Sequence, residues 1–519
     1  MAQSRWWVRG VVLGSALLLA PVGAWADKLQ DLEQRYEDQQ TSLQQLHQEV
    51  QRLRQERTTQ QAETDRRVME VEKKAAETAA SSLLTGYEPG KGFYLKSADG
   101  QFRLNLGGYL QTWMQVQGSR KEEDFPSGDA AAARRHQPST FRERRTRIIL
   151  SGQVFKDFNF YIEPEFSFGK VAENPGHNTD VSTTGGTRLE NGWVAYTYAP
   201  WAQVKVGQFR NFFSLEKSTA PYDLDFAEWA VVPRALAPGL QLGALVSGNL
   251  NLPIMNMPFY YGVGIFNGCG RIDQCQNGVA SQGDKEFAGR FAFSPPMPLG
   301  NLTIALNADY RSFRIVNGNG ETDEEGVTTV AQLANGQRFH RFNPLQATDW
   351  RLAGDGLIGT SNGFLINGNR VTGGGDIVWD FYPFMIKGEY LYSTQERDGL
   401  VGATGKPLDN LIMQGGYGTI GYWVFGNKRN GLQAIGRYEH MRIDDRTGVF
   451  DAPTADPNER PMEMRSGTLG LNWYVNPAVR LRANYILTDV RPGQNTIGVS
   501  NSTHGELVHQ GIAEVQLLF

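Results

Sequence analysis

From residue 101 to the end of the chain, hydrophobic and polar side chains alternate with a period of two. In 102–116, Phe102, Leu104, Leu106 and Leu110 fall on one face and Arg103, Asn105, Tyr109 and Gln111 on the other. In 158–168, Phe160, Ile162, Phe166 and Phe168 oppose Glu163 and Glu165; in 302–313, Leu302, Ile304, Leu306, Ala308 and Tyr310 oppose Asn307, Asp309 and Arg311. In 479–490, Val479, Leu481, Ala483, Tyr485 and Leu487 oppose Arg480, Arg482, Asn484 and Thr488. Side chains of a strand point alternately to its two faces, so each segment predicts a strand with one greasy and one wet face.

Connection lengths decide which way the greasy face looks. Short links recur at 156–157, 199–202, 250–257, 294–300, 381–384, 426–431 and 475–478. Between them come longer polar stretches around 119–140, 169–187, 210–238, 267–284, 314–373, 395–408, 443–462 and 491–505. Interleaved, they predict sixteen strands with short turns at one end and long loops at the other. A soluble sandwich has no reason to sort its loops by parity; an outer-membrane barrel does, with its apolar face in lipid and its polar face lining water. The alternating end, Gly511, Ala513, Val515, Leu517 and Phe519 with Glu514 and Gln516 between, resembles the closing-strand signal read by barrel assembly machinery.

A second pattern precedes the barrel. Between residues 27 and 82 there is no Gly or Pro, and Leu29, Leu32, Tyr36, Leu43, Leu46, Val50 and Leu53 recur at spacings built from threes and fours. This predicts a coiled-coil helix that must bury its seam against partner helices, a periplasmic stalk. Residues 83–100 are then a linker. Residues 1–26, with Arg5 and Arg9, an apolar stretch 11–20 and Ala24-Trp25-Ala26, predict a signal peptide and hence export.

Composition narrows the functions. The 519 residues carry net charge −4, which gives no bulk attraction to nucleic acid, and their 59 glycines and abundant aromatics suit tight turns and interfacial girdles. The two cysteines, Cys269 and Cys275, lie six apart in an outward loop and predict a loop-stapling disulfide, not a metal or cluster site. Beyond the stalk, the histidines His136, His177, His340, His440, His504 and His509 form no H-x-x-x-H pair, and no phosphate-cradling loop is present. No cofactor, no metal and no enzymatic activity are therefore expected.

The pieces Arg144-Arg145-Thr146-Arg147, Phe155-Lys156-Asp157, Val206-Gly207-Gln208-Phe209, Phe213-Ser214-Leu215-Glu216, Ala237-Pro238-Gly239, Phe287-Ala288-Gly289-Arg290-Phe291 and Leu471-Asn472-Trp473-Tyr474-Val475-Asn476, with the closing Phe, run in order along the barrel. In these the chain resembles the phosphate-selective porins of the porin O and porin P type. The resemblance implies a homotrimer of 16-stranded barrels in outer-membrane lipid, each with its third loop folded into the pore. A three-stranded stalk would share that symmetry axis and reach toward peptidoglycan.

Function is then selection during passive diffusion of small hydrophilic solutes. Alternation assigns Arg103, Arg145, Arg147, Lys205, Arg290, Arg311, Lys387, Arg437, Arg480 and Arg482 to the lumen, against Glu163, Glu165, Glu286, Asp309, Glu389, Glu439 and Glu514. The third loop adds Arg210, Lys217 and Arg234 as candidate constriction cations. A surplus of fixed cations in a low-dielectric wall enriches anions, and the guanidinium fork suits phosphate; neighbouring Arg and Glu also brace a wall, as Arg147 would with Glu163 or Glu165. The resemblance implies Lys where Arg210 stands, often Glu-Arg at Glu228-Trp229 and an acid near Asn191, and, in the phosphate-specific members, a dense arginine run in place of the spaced Arg314, Arg338, Arg341 and Arg351. These departures favour a general anion preference over strict phosphate specificity. The alternatives are a pore for other solutes, a tether to peptidoglycan, or a barrel hydrolase with a lipid-facing Ser–His pair.

Overall fold

The computed structural model describes residues 83–519 apart from residue 90 and the segments 120–138, 168–186, 254–255, 269–284, 313–326, 331–338, 343–363, 401–406, 445–460 and 492–505; before these, it describes scattered positions between 34 and 69. The chain divides into two compact units, Met1–Ser81 and Ser82–Phe519. In the first, the described positions, among them Tyr36 and Val50 of the seam, are helical. The signal segment, most of the stalk, Cys269, Cys275 and Arg314, Arg338 and Arg351 lie outside the described residues.

The second unit opens with a hairpin, β1 (Leu83–Glu88) and β2 (Gly92–Ser97), within the segment read as a linker. The barrel follows as β3 (Phe102–Ser119), β4 (Thr140–Val154), β5 (Phe158–Glu165), β6 (Arg188–Ala199), β7 (Ala202–Arg210), β8 (Leu240–Leu252), β9 (Met257–Phe266), β10 (Glu286–Phe293) and β11 (Asn301–Ser312). A small sheet in the fifth loop, β12 (Val327–Val330), β13 (Phe339–Phe342) and β14 (Phe364–Ile366), precedes β15 (Asn369–Phe381), β16 (Phe384–Gln395), β17 (Leu411–Asn427), β18 (Asn430–Asp444), β19 (Met462–Tyr474), β20 (Val479–Arg491) and β21 (Glu506–Leu518). β3–β11 and β15–β21 form a closed 16-stranded antiparallel barrel, each strand paired with the next. β21 meets β3 from Val508↔Ser119 to Leu518↔Tyr109, so no edge is left open. The turns and long loops fall where the polar stretches predicted them.

Burial is inverted relative to a soluble protein. Arg145, Glu190 and Glu286 are buried, whereas Phe141 is 79% and Leu469 68% exposed. The exposed face is the apolar parity of each strand, the lipid side. Aromatics crowd the short-turn end of that face, including Phe158, Tyr198, Trp201, Tyr382, Phe384, Phe425 and Trp473, all exposed. Such girdles sit at membrane–water interfaces. β5 ends at Glu165, short of the predicted 168, and a bulge between Glu163 and Pro164 places the proline where the ladder is already interrupted.

The seam between first and last barrel strands is completed by the hairpin. β2 pairs with β3 from Phe93↔Leu106 to Lys96↔Arg103, taking the edge of β3 beyond the end of β21. Gly108 donates its N–H to the Phe519 carbonyl at 2.9 Å and accepts the Phe519 N–H at 3.0 Å. Gly107 must lack a side chain, because a Cβ there would lie 2.8 Å from the Lys91 carbonyl oxygen and 2.9 Å from that of Phe519.

Candidate functional site

The third loop, residues 211–239, leaves the long-loop end of β7 and folds into the barrel. It contains α1 (Leu215–Ser218), a single 3₁₀ turn at Pro221–Asp223, and α2 (Val231–Leu236). Ser214 caps α1, accepting the Lys217 N–H at 3.1 Å and donating its hydroxyl to Glu389 at 3.0 Å. α2 lies against β16, β17 and β18. Val231, Val232, Ala235 and Leu236 join an apolar cluster with Leu391, Leu411, Met413, Met441, Ile443, Met462 and Met464. These inward-facing apolar residues of β16–β19 depart from the rule that greasy side chains face lipid: they are the loop's seat. The signal for them lay in 411–413, where both parities are apolar, and in 441–443 and 462–464, where the alternation is inverted and Arg442 and Glu463 fall on the parity that faces lipid elsewhere.

Polar wall residues hold the other end of the loop. Arg480 donates to the carbonyls of Leu224 at 3.1 Å and Tyr222 at 2.7 Å; Arg482 donates to Leu224 at 2.9 Å and to Phe226. Asn472 donates to the Asp225 carbonyl at 2.9 Å, and the side-chain oxygen of Asn484 accepts the Ala227 N–H at 2.9 Å. Lys387 pairs with the Asp225 carboxylate at 2.6 Å. Arg437 reaches Glu216 at 2.8 Å and Glu439 at 2.9 Å. Burial of Asp225 would raise its pKa, but Lys387 and its neighbours hold it below the usual range. Burial pushes Glu216 up to about 7 against the pull of Arg437.

The remaining predicted cations separate by partner. Arg147 is buried among three carboxylates, Glu165 at 2.5 Å, Glu163 at 3.0 Å and Glu190 at 3.0 Å, the wall brace expected of it. Asn191, where the family often has an acid, donates to Glu163. Arg290 pairs with Asp376, and Arg311 lies 3.8 Å from Glu286. Arg103 does follow the wet parity, but it stands at the turn end, donating to Glu88 of the hairpin at 2.6 Å and stacking 4.7 Å from the Tyr94 ring centroid. These contacts fasten the hairpin to β3.

Where the loop faces β3, β4 and β7, cations converge. Glu228 is shared by Arg144 at 2.6 Å, Arg145 at 3.1 Å and Arg234 at 3.6 Å. Burial alone would raise the Glu228 pKa; the three guanidinium groups outweigh it and hold the carboxyl far below its ordinary range. Next to it stands Trp229. Arg210 lies 4.8 Å, Arg145 5.0 Å and Lys217 5.8 Å from its ring centroid. Arg145, Arg210, Lys217 and Arg234 are thus brought together, and Arg144, not among the candidates, joins them. Lys205 is separate on β7, over the rings of Trp193 at 4.4 Å and Phe209 at 5.3 Å.

Comparison with known proteins bears on this arrangement. Residues 118–510 match the family model described as phosphate-selective porin O and P. The chain belongs to that family. It is an outer-membrane porin, a channel by fold and family. Porin O of Pseudomonas aeruginosa is 23% identical over 441 residues, covering 76% of this porin and 85% of the relative. Among solved structures, the anion-selective porin from Comamonas acidovorans matches at 14% identity and TM-score 0.46, over 80% of this porin and 100% of that chain. The outer-membrane channel DcaP of Acinetobacter baumannii matches at 14% identity and TM-score 0.46, over 82% and 99%.

Proposed function

We propose that this porin is an anion-preferring channel that favours phosphate-like oxyanions. The observation behind the reading is the cluster at the third loop, where Arg144, Arg145 and Arg234 share one carboxylate and Arg210 and Lys217 stand against an indole. A local excess of fixed positive charge beside a low-dielectric wall concentrates anions, and guanidinium forks match oxyanions while exchanging them quickly enough for flow. Arg210, Lys217, Arg234 and Arg145 are the proposed constriction, with Lys205 along the same path. Arg147, Arg290, Arg311, Arg480 and Arg482 act chiefly as braces of wall and loop, adding to the field.

In planar bilayers, the reversal potential in a KCl gradient should report anion preference, and added phosphate should reduce the chloride current. A cation-selective channel would overturn the reading; chloride current indifferent to phosphate would leave a general anion pore.

The functional form we infer is a homotrimer in outer-membrane lipid, with residues 27–82 as a parallel periplasmic stalk directed toward peptidoglycan. The heptad-like spacing and the helical state of its described residues support this. Phe519, seated on the seam, is the proposed contact for assembly machinery. Cys269 and Cys275 are proposed to close a disulfide in the fourth loop, detectable as a two-dalton mass difference on reduction.

A further inference from the structure

We propose that Trp229 and Trp193 determine selectivity by holding Arg210 and Lys205 on their rings, so that these two cations keep their charge for the permeating ion. The inference rests on the anion-channel reading and assigns it two positioning residues.

The lumen wall offers a direct contrast. Arg147, Arg290, Arg311, Lys387 and Arg437 each meet a carboxylate, which fixes the side chain and cancels its field at a distance. Arg480 is spent on loop carbonyls. Arg210 and Lys205 have neither kind of partner among the described residues; their contacts are with rings. Lys205 does face inward, since Val204 and Val206 on either side of it are exposed on the lipid parity.

An aromatic face attracts a cation through its quadrupole and carries no net charge. It therefore restrains a long flexible side chain as a carboxylate would, without neutralising it. Both rings are themselves fixed. Trp229 is 7% exposed, and Trp193 stacks on Tyr161 with centroids 5.5 Å apart and planes 2° from parallel. Arg210, five residues beyond Lys205 at the end of β7 and on the other parity, is brought inside by its contact with Trp229 of the infolded loop, about 17 Å from Lys205 along the strand. A permeating anion thus meets two held, uncancelled charges in series. Arginine at position 229 would add a charge but would also repel Arg210, Arg145 and Lys217; the indole gathers them.

The test is the anion-to-cation permeability ratio of single channels in bilayers. Wild type is measured first: cation preference there defeats the anion reading itself. Given an anion-selective wild type, Trp229→Leu and Trp193→Leu should each lower the ratio about two- to fivefold, and Trp229→Phe and Trp193→Phe should restore most of it. A ring that merely props the fold would reduce the yield of channels but leave the ratio of those that insert unchanged, and that result overturns the proposal. If the leucine variants form no channels, the pairs W229M with R210Q and W193M with K205Q decide, methionine filling much of the volume without a ring face. Sub-additive effects on the logarithm of the ratio support the assignment, and additive effects overturn it.

Discussion

Arg147 illustrates how a wet barrel wall is held together. Its guanidinium group is almost fully buried and serves three carboxylates that β5 and β6 bring to one place. Replacing it by leucine would leave those acids buried and mutually repelling, a loss of about 3–5 kcal/mol by the usual cost of breaking a buried ion pair. Arg147→Leu should therefore unfold in detergent at a clearly lower temperature, as followed by the heat-dependent gel shift of the barrel. Glu216 behaves in the opposite sense. Burial lifts its carboxyl to about 7, so the folded channel binds a proton that the unfolded chain gives up at lower pH. The stability it contributes is complete below its ordinary range near 4.5 and is lost as pH rises through about 7. Acidification from pH 8 to 6 also removes a negative charge from the loop, so anion preference should strengthen over that interval. Glu216→Gln should flatten this response; a reversal potential that shifts with pH as much as in wild type would exclude Glu216 as its source. At this scale the sequence disclosed inward polar residues through parity alone. It could not disclose their partners, because Arg103 and Arg147 share a parity and differ only in what other segments, earlier for one and later for the other, bring beside them.

Among elements, the third loop is the one whose position decides the pore. Its place and length were readable from the connection lengths, and the wet parity of β20 put Arg480 and Arg482 inside. Their actual role was hidden, since nothing in a strand's alternation says that two arginines will be aimed at the carbonyls of Tyr222, Leu224 and Phe226. The double variant Arg480→Ala and Arg482→Ala removes these bonds while leaving the apolar seat of α2 in place. Single channels of this variant should show larger and noisier conductance with weaker anion preference. Conductance equal to wild type would mean that the seat alone positions the loop. The hairpin was read as linker because six-residue strands joined by a tight turn carry little periodicity; its reality depends on the unpaired edge of β3 beyond β21.

For the whole molecule, inverted burial and closure through β3 and β21 follow from the two-residue period, the loop parity and the final strand, which is why the fold was legible well before its site. Assembly is a separate question. If residues 27–82 zip three chains together, deleting them should lower the temperature at which trimers fall to monomers on native gels, with single-barrel conductance retained. Trimers equally resistant to heat would remove the stalk from assembly and leave it as a spacer or anchor.

The apolar seat under α2 has a consequence for how such a pore diversifies. Met413, Met441, Ile443, Met462 and Met464 come from three neighbouring strands, and the helix they receive comes from a loop more than 170 residues earlier in the chain. The filter is therefore not an interchangeable cartridge. Transplanted into a relative whose inner wall is hydrophilic at those heights, it would have nowhere dry to land, and changes of solute preference are confined to side chains that leave this docking intact.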